Sequence, residues 1–236
     1  MSRPDEHSAA QEFDRWADRG RAESMARGHR PATEQATETW SLGAGDVVLD
    51  VGCGNGWALR WMLERGAGRG IGVDISPRMI ERAQKAAHGD PRLQFRCGSA
   101  EELPVEDSHV THVLNIESLY YYPDPASALL EWARVTGPGG RLAMVLDLYR
   151  ENPASHCWID ALEVDVHLLS TSQCVELANA AGWGEVRHRR ARDLRPPTPR
   201  ELFEPSRFWP DYDMYLACHE AGSLVVEAVR VGSEHR

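Results

Sequence analysis

The sequence is short of several things, and each shortage removes a class of protein. No apolar run approaches the about 20 residues that cross a bilayer, so no membrane partner is expected. The first residues, Met1 to His7, are polar and carry no apolar signal core, which predicts a cytoplasmic protein. Cysteine is scarce and odd in number, five in all, with no C-x-x-C pair. A disulfide framework is therefore not expected, and a reducing compartment suits the chain. Positive charge is in deficit: 26 Lys and Arg against 36 Asp and Glu leave a net charge of -10. An acidic surface argues against a nucleic-acid partner, whose phosphates favour a basic footprint. Internal repeats and long low-complexity stretches are also lacking. What remains is a chain of 236 residues, enough for one domain with extensions and a sizeable core.

The chain is organised around the run from Asp46 to Gly56, D-V-V-L-D-V-G-C-G-N-G. Its apolar, valine-rich start has the pattern of a strand buried on both faces. Glycines follow at 52, 54 and 56, then Trp57 to Arg65 with apolar side chains spaced for one helical face. Strand, glycine turn, helix is a geometry that lets a ligand approach bare backbone, because glycine has no Cβ. A dinucleotide site would read G-x-G-x-x-G and would place its pyrophosphate at the helix start. Here the spacing is G-x-G-x-G, and Asp50 just before the turn would repel a pyrophosphate. A cationic ligand would not be repelled. A second strand, Arg69 to Asp74, ends on a carboxylate 24 residues after Asp50. An acidic residue about that far along can accept both ribose hydroxyls of a nucleoside.

The run Asp50-x-Gly52-x-Gly54-x-Gly56 resembles motif I of class I S-adenosylmethionine-dependent methyltransferases, and Asp74 stands where that family holds the ribose. Asn115 to Tyr122, at the end of a fourth strand, resembles motif IV in its small-molecule members. The order L-E-W-A-R-V-T-G-P-G-G-R-L, ending at Leu142, resembles a late motif of the family, so the resemblance covers about residues 46 to 147. It implies an α/β fold: a doubly wound, seven-stranded sheet of order 3-2-1-4-5-7-6, strand 7 antiparallel, with helices on both faces. It also implies an N-terminal helical cap over residues 1–45 and a methyltransferase domain over 46–236, with 148–170 and 195–221 as substrate-side connections. Within the cap, one helix is expected over about 8–30, an interruption at Pro31, and a second short helix from Thr33 to Trp40. Residues 195–211, rich in proline, are expected to form a loop.

The expected activity is methyl transfer from S-adenosylmethionine to a small molecule, leaving S-adenosylhomocysteine. Expected cofactor contacts are Asp50, Gly52, Cys53, Gly54, Asn55 and Gly56 in the loop, then Asp74 and Ile75. Ser99, Ala100 and Glu101 would meet the adenine, and Asn115 and Ile116 the methionine end. Many relatives carry Gly-Asp-Ala at 98–100, the Asp accepting the adenine amino group. This chain has Ser99 there, so the contact falls to the Ser99 hydroxyl, the Ala100 amide or Glu101. Met25, His29, Tyr120 and Tyr121 are expected on the acceptor side. His29, Glu117 and Tyr121 are the candidates for acceptor contact or proton handling, with Tyr122 reserved for packing.

Other readings remain open on the sequence alone. Arg187, Arg189, Arg190, Arg192 and Arg195 form a basic cluster that would serve an RNA acceptor, or else a solvated edge. Protein methylation and a non-catalytic cofactor-binding module are further alternatives, and a nicotinamide dehydrogenase is disfavoured by the glycine spacing. No metal is expected: His109 and His112, three apart on a strand, face opposite ways. A monomer or a homodimer would fit.

Overall fold

A computed structural model describes residues 4–232. Seven strands form one sheet: β1 Val47–Val51, β2 Arg69–Asp74, β3 Leu93–Cys97, β4 Val110–Ile116, β5 Thr136–Leu146, β6 Trp183–Ala191 and β7 Ser223–Arg230. Their order is β3-β2-β1-β4-β5-β7-β6, as the resemblance implied. The first five are parallel and β7 runs antiparallel between β5 and β6. Central β1 is buried at every residue, which explains why its sequence is a continuous apolar run rather than an alternating one.

Eight α-helices accompany the sheet among the described residues: α1 Glu6–Asp18, α2 Arg21–Ala36, α3 Trp57–Glu64, α4 Pro77–Ala86, α5 Pro125–Val135, α6 Cys157–Ala161, α7 Thr171–Ala180 and α8 Tyr212–Ala221. The two faces have separate cores. On one, Trp132 and Leu129 of α5 and Cys174 of α7 pack on Leu49, Val113 and Met144. On the other, Ala32 and Ala36 of α2, Leu59 and Met62 of α3 and Ala83 of α4 pack on Val48, Leu114 and Val145. Neighbouring residues of a strand thus feed opposite cores, the period of two that a doubly covered sheet requires.

The helix starts carry the expected chemistry. Ser76 caps α4 by accepting from Met79 N at 3.0 Å, with Pro77 as first residue. Asp124 caps α5, again followed by proline. Ser170 and Gln173 form a capping box on α7.

The cap differs from expectation. Its break falls at Gly20, in the left-handed region at φ 68°, and not at Pro31, which sits inside α2. Proline removes the N–H that would reach the carbonyl four residues earlier, that of Arg27. Here Arg195 fills the gap, its Nη1 donating to Arg27 O at 3.3 Å. Arg189 donates to Gln35 O, and Gln35 Nε2 donates to Arg192 O at 2.7 Å. The basic cluster therefore seats α2 on the sheet edge. Arg187, 80% exposed, and Arg192, whose carbonyl alone takes part, behave as solvated edge charges, and Arg190 donates to Thr171 Oγ1 at 3.1 Å. The proline-rich stretch contains a single 3-10 turn at Arg200–Leu202, and α8 after it was not expected at all.

Candidate active site

The glycine turn follows β1 at the carboxyl end of the sheet. Gly52, Gly54 and Gly56 all have positive φ, at 77°, 51° and 69°. A Cβ on Gly52 would lie 2.4 Å from Ser118 Oγ, so no other residue fits there. A Cβ on Gly54 would meet nothing within 4 Å, because that residue borders an open crevice. The turn is tied to the end of β2. Gly52 N and Cys53 N donate to Val73 O at 2.8 and 3.1 Å. Gly54 N donates to Asp74 Oδ2 at 2.8 Å, and Ser76 N to Asp74 Oδ1 at 2.9 Å. Asp74 is thus engaged by two backbone amides, although a carboxylate has further acceptor capacity.

Asp50 is buried beneath the turn, and its Oδ1 has no hydrogen-bond partner among the described residues. Burial, with Asp74 adding repulsion, pushes Asp50 up to about 8. Burial also pushes Asp74 up to about 6, held back by the amides of Ser76 and Gly54. A cationic ligand would relieve such a carboxylate pair.

The crevice is lined by Asp50, Gly52, Cys53, Gly54, Asn55, Asp74, Ile75, Ala100 and Ile116. Five other expected residues lie off its wall. Gly56 is packed behind the turn, where a Cβ would strike Phe95 at 2.5 Å. Asn115 is fully buried, its amide nitrogen within hydrogen-bond reach of Val51 O, Ser118 Oγ and Tyr122 Oη, and so it braces the turn from below. Glu101 accepts from Asp124 N at 2.6 Å. Ser99 donates to Glu6 of α1. Tyr120 lines a second cavity instead. Tyr122, expected to pack, sets its ring edge-on to Trp132 at 6.1 Å while its hydroxyl holds the same turn.

The second cavity, of about 500 Å³, lies between the cap, residues 158–162, the 206–209 stretch and α8. Trp16, Trp158, Phe208, Trp209 and Tyr215 give it aromatic walls. Arg21 lies against its rim, stacked 4.5 Å from the Trp16 ring centre and 4.3 Å from that of Phe208. Met25, His29, Glu117 and Tyr121, with Trp16, line both cavities and so lie at the passage where the two adjoin.

The polar part of that passage is a trio, His29, Glu117 and Asp147, whose ligand atoms lie within 4.8 Å of one another. Glu117 follows β4 in the left-handed region at φ 56°, a strained setting for a residue with a side chain. Its carboxylate accepts from Asp147 N and, at 2.8 Å, from the Tyr120 hydroxyl. Burial pushes Glu117 up to about 8, with Asp147 adding to the effect. His29 Nδ1 is 3.6 Å from Asp147 Oδ2. Burial alone would lower His29, but the Asp147 and Glu117 carboxylates outweigh it and raise it. An imidazole and two carboxylates can take a proton from an acceptor or hold a cation. His112 is elsewhere, its ring tilted against that of Trp40 at 4.6 Å, and takes no part.

Sequence reasoning missed Asp147, Glu6 and the contribution of α8. Asp147 follows β5 at the carboxyl end of the sheet, the same rule that singled out Glu117, so a signal existed. Glu6 and α8 approach through the cap and a late connection, and nothing local in the sequence marks them.

Comparison with known proteins agrees with this geometry. A family model described as a methyltransferase domain matches residues 49–144. A 27-O-demethylrifamycin SV methyltransferase from Amycolatopsis mediterranei is 37% identical over 125 residues, 52% of this chain and 46% of that protein. An O-methyltransferase, resE, from Aspergillus sclerotiorum is 29% identical over 77% of this chain and 71% of its own. The chain spans about half the length of the first curated relatives it matches. Among solved structures, a complex between the Haloferax volcanii Trm112 methyltransferase activator and a putative methyltransferase contains a chain with 32% identity and a TM-score of 0.84. That match covers 94% of this chain and 98% of that one. With that likeness along nearly its whole length, the same strand order and an acid-flanked glycine turn, the chain belongs to the class I S-adenosylmethionine-dependent methyltransferases.

Proposed function

We propose that this protein methylates a small molecule held in the aromatic cavity beside the glycine crevice. Asp50, the 52–55 backbone, Asp74 and Ile75 would hold S-adenosylmethionine. The unpartnered Asp50 oxygen and the open side of Gly54 suit a cationic ligand pressed against main chain. The cofactor would supply an electrophilic methyl group on sulfur. The chain would align the acceptor, exclude water and, for an acceptor bearing O–H or N–H, take its proton. His29 and Glu117 would do this, with Asp147 steadying His29 and Tyr120 steadying Glu117.

The observation that carries this reading is that His29, Glu117, Met25 and Tyr121 each line both cavities. The aromatic walls fit an acceptor with a flat or apolar body. A nucleic-acid acceptor is less well supported, because Arg189, Arg190 and Arg195 are engaged with Gln35, Thr171 and Arg27.

The test is calorimetry with S-adenosylhomocysteine, followed by labelled methyl transfer to a panel of aromatic alcohols, amines and thiols. Expected are saturable binding and transfer that Glu117→Gln and His29→Ala reduce without changing cofactor affinity. Tight binding with no transfer to any panel member or cell extract would favour a non-catalytic module. No binding at all would overturn the reading.

A further inference from the structure

We infer that Glu6, on the first turn of α1, is the residue that recognises the adenine amino group, and that Ser99 positions it. The inference rests on the crevice between the glycine turn and Asp74 being the S-adenosylmethionine site.

The crevice has two distinct ends. One opens at the polar trio. The other is walled by Asp74, Ile75, Gly98 and Ala100, and Glu6 lines the crevice with them. With the ribose at Asp74, the base must lie towards Gly98 and Ala100. An adenine ring presents an exocyclic amino group, a donor, and so needs an acceptor there. The residues first considered for this are committed elsewhere. Glu101 accepts the Asp124 amide at 2.6 Å. Ser99 Oγ accepts from Glu101 N at 3.0 Å and spends its single proton on Glu6 Oε1. A hydroxyl has one proton to give, so it fixes the Glu6 carboxylate and leaves that carboxylate with acceptor capacity facing the crevice.

The helix that carries Glu6 is itself anchored at this end of the sheet. Asp5 caps α1 by accepting from Ser8 N at 2.9 Å. Two turns further on, Asp14 accepts from Ser76 Oγ at 2.6 Å and from Arg78 N at 3.2 Å. Glu6 and Asp14 thus straddle the Asp74–Ser76 corner. Position 99 carries a hydroxyl where a carboxylate was expected, and the cap supplies the missing carboxylate from 93 residues away. Base recognition then depends on α1 being closed. The same helix contributes Trp16 to the acceptor cavity and sets Phe13 edge-on to Tyr121 at 4.9 Å. The residue that would read the base and one wall of the acceptor cavity therefore belong to a single helix.

The decisive experiment compares S-adenosylhomocysteine with S-inosylhomocysteine, in which a carbonyl oxygen replaces the amino group. A carboxylate attracts the first and repels the second. Isothermal titration of the parent protein should favour the adenine compound by about 10- to 100-fold, the size of a charge-assisted hydrogen bond. Glu6→Gln should shrink this ratio to below about threefold, since an amide can donate to the carbonyl. Ser99→Ala should reduce the ratio part of the way, and Ser99→Thr should restore it. A merely structural effect would weaken both ligands equally and leave the ratio alone. Should Glu6→Gln and Glu6→Ala both keep the parent's ratio, the assignment to Glu6 is wrong while the cofactor site stands. Should the parent bind neither compound, the cofactor site and this inference fall together.

Discussion

At the scale of single residues, the site is a set of carboxylates held away from water. Glu117 has the most consequential position, because it is buried, strained and shared by both cavities. If Glu117 takes the acceptor's proton, kcat/KM for a protic acceptor should rise with pH through a limb near 8. Glu117→Gln keeps an oxygen for the Asp147 amide, and its new NH2 can donate to the Tyr120 hydroxyl oxygen once that hydroxyl turns, so the fold should hold. Turnover should drop by about 100-fold or more, and the limb near pH 8 should vanish, while affinity for the cofactor stays within about threefold. A pH–rate profile of both proteins checks this. An unaltered limb in the variant would hand the proton to His29. Asp74→Ala should weaken cofactor binding by at least about tenfold, since it removes the proposed ribose acceptor and releases the Gly54 amide that shapes the turn. Much at this scale was legible: Asp50, Asp74 and the glycines declare themselves because their spacing is local. Ser99, Glu101 and Asn115 were misplaced on the wall because a side chain's direction depends on its tertiary partners, here Glu6, the Asp124 amide and Tyr122.

At the scale of elements, α1 and α2 supply walls to both cavities and are tied down separately. α1 is held to the corner of β2 and α4 by Asp14, and α2 is held to the far sheet edge by arginines. Asp14→Ala should loosen α1 alone: about 1 to 2 kcal/mol less stability, faster amide exchange over residues 6–18, and normal exchange in α2. Protection of α1 equal to the parent's would show that Asp14 is not its anchor. The break between α1 and α2 was expected at Pro31 and occurs at Gly20. Local propensity disfavours proline inside a helix, and it lost to tertiary bonding, because Arg195 satisfies the Arg27 carbonyl that the proline leaves bare. The sheet order could be anticipated from the family resemblance, whose motifs run from Asp46 to Asp147 and which implied strand 7 antiparallel between strands 5 and 6. α8 could not, since its polar and aromatic residues face a cavity rather than a core and show no single apolar stripe.

At the scale of the whole molecule, the buried acids couple folding to pH. Asp50 and Glu117 stay protonated in the folded chain up to about pH 8, whereas in an unfolded chain they lose their protons above about pH 4. Between those limits the folded state binds more protons, so the ligand-free protein should lose stability as pH rises, by up to about 1.4 kcal/mol per pH unit for each group. Urea midpoints at pH 5, 6.5 and 8 should fall in that order, and Asp50→Asn should flatten the trend. A midpoint independent of pH would mean that these groups are already ionised when folded. The guanidinium groups along β6 have a different consequence at this scale. A second chain approaching that rim to add its own strand would meet the solvated Arg187 and the α2 helix that Arg189 holds against β6, so the last strand of the sheet is guarded against growth into fibres.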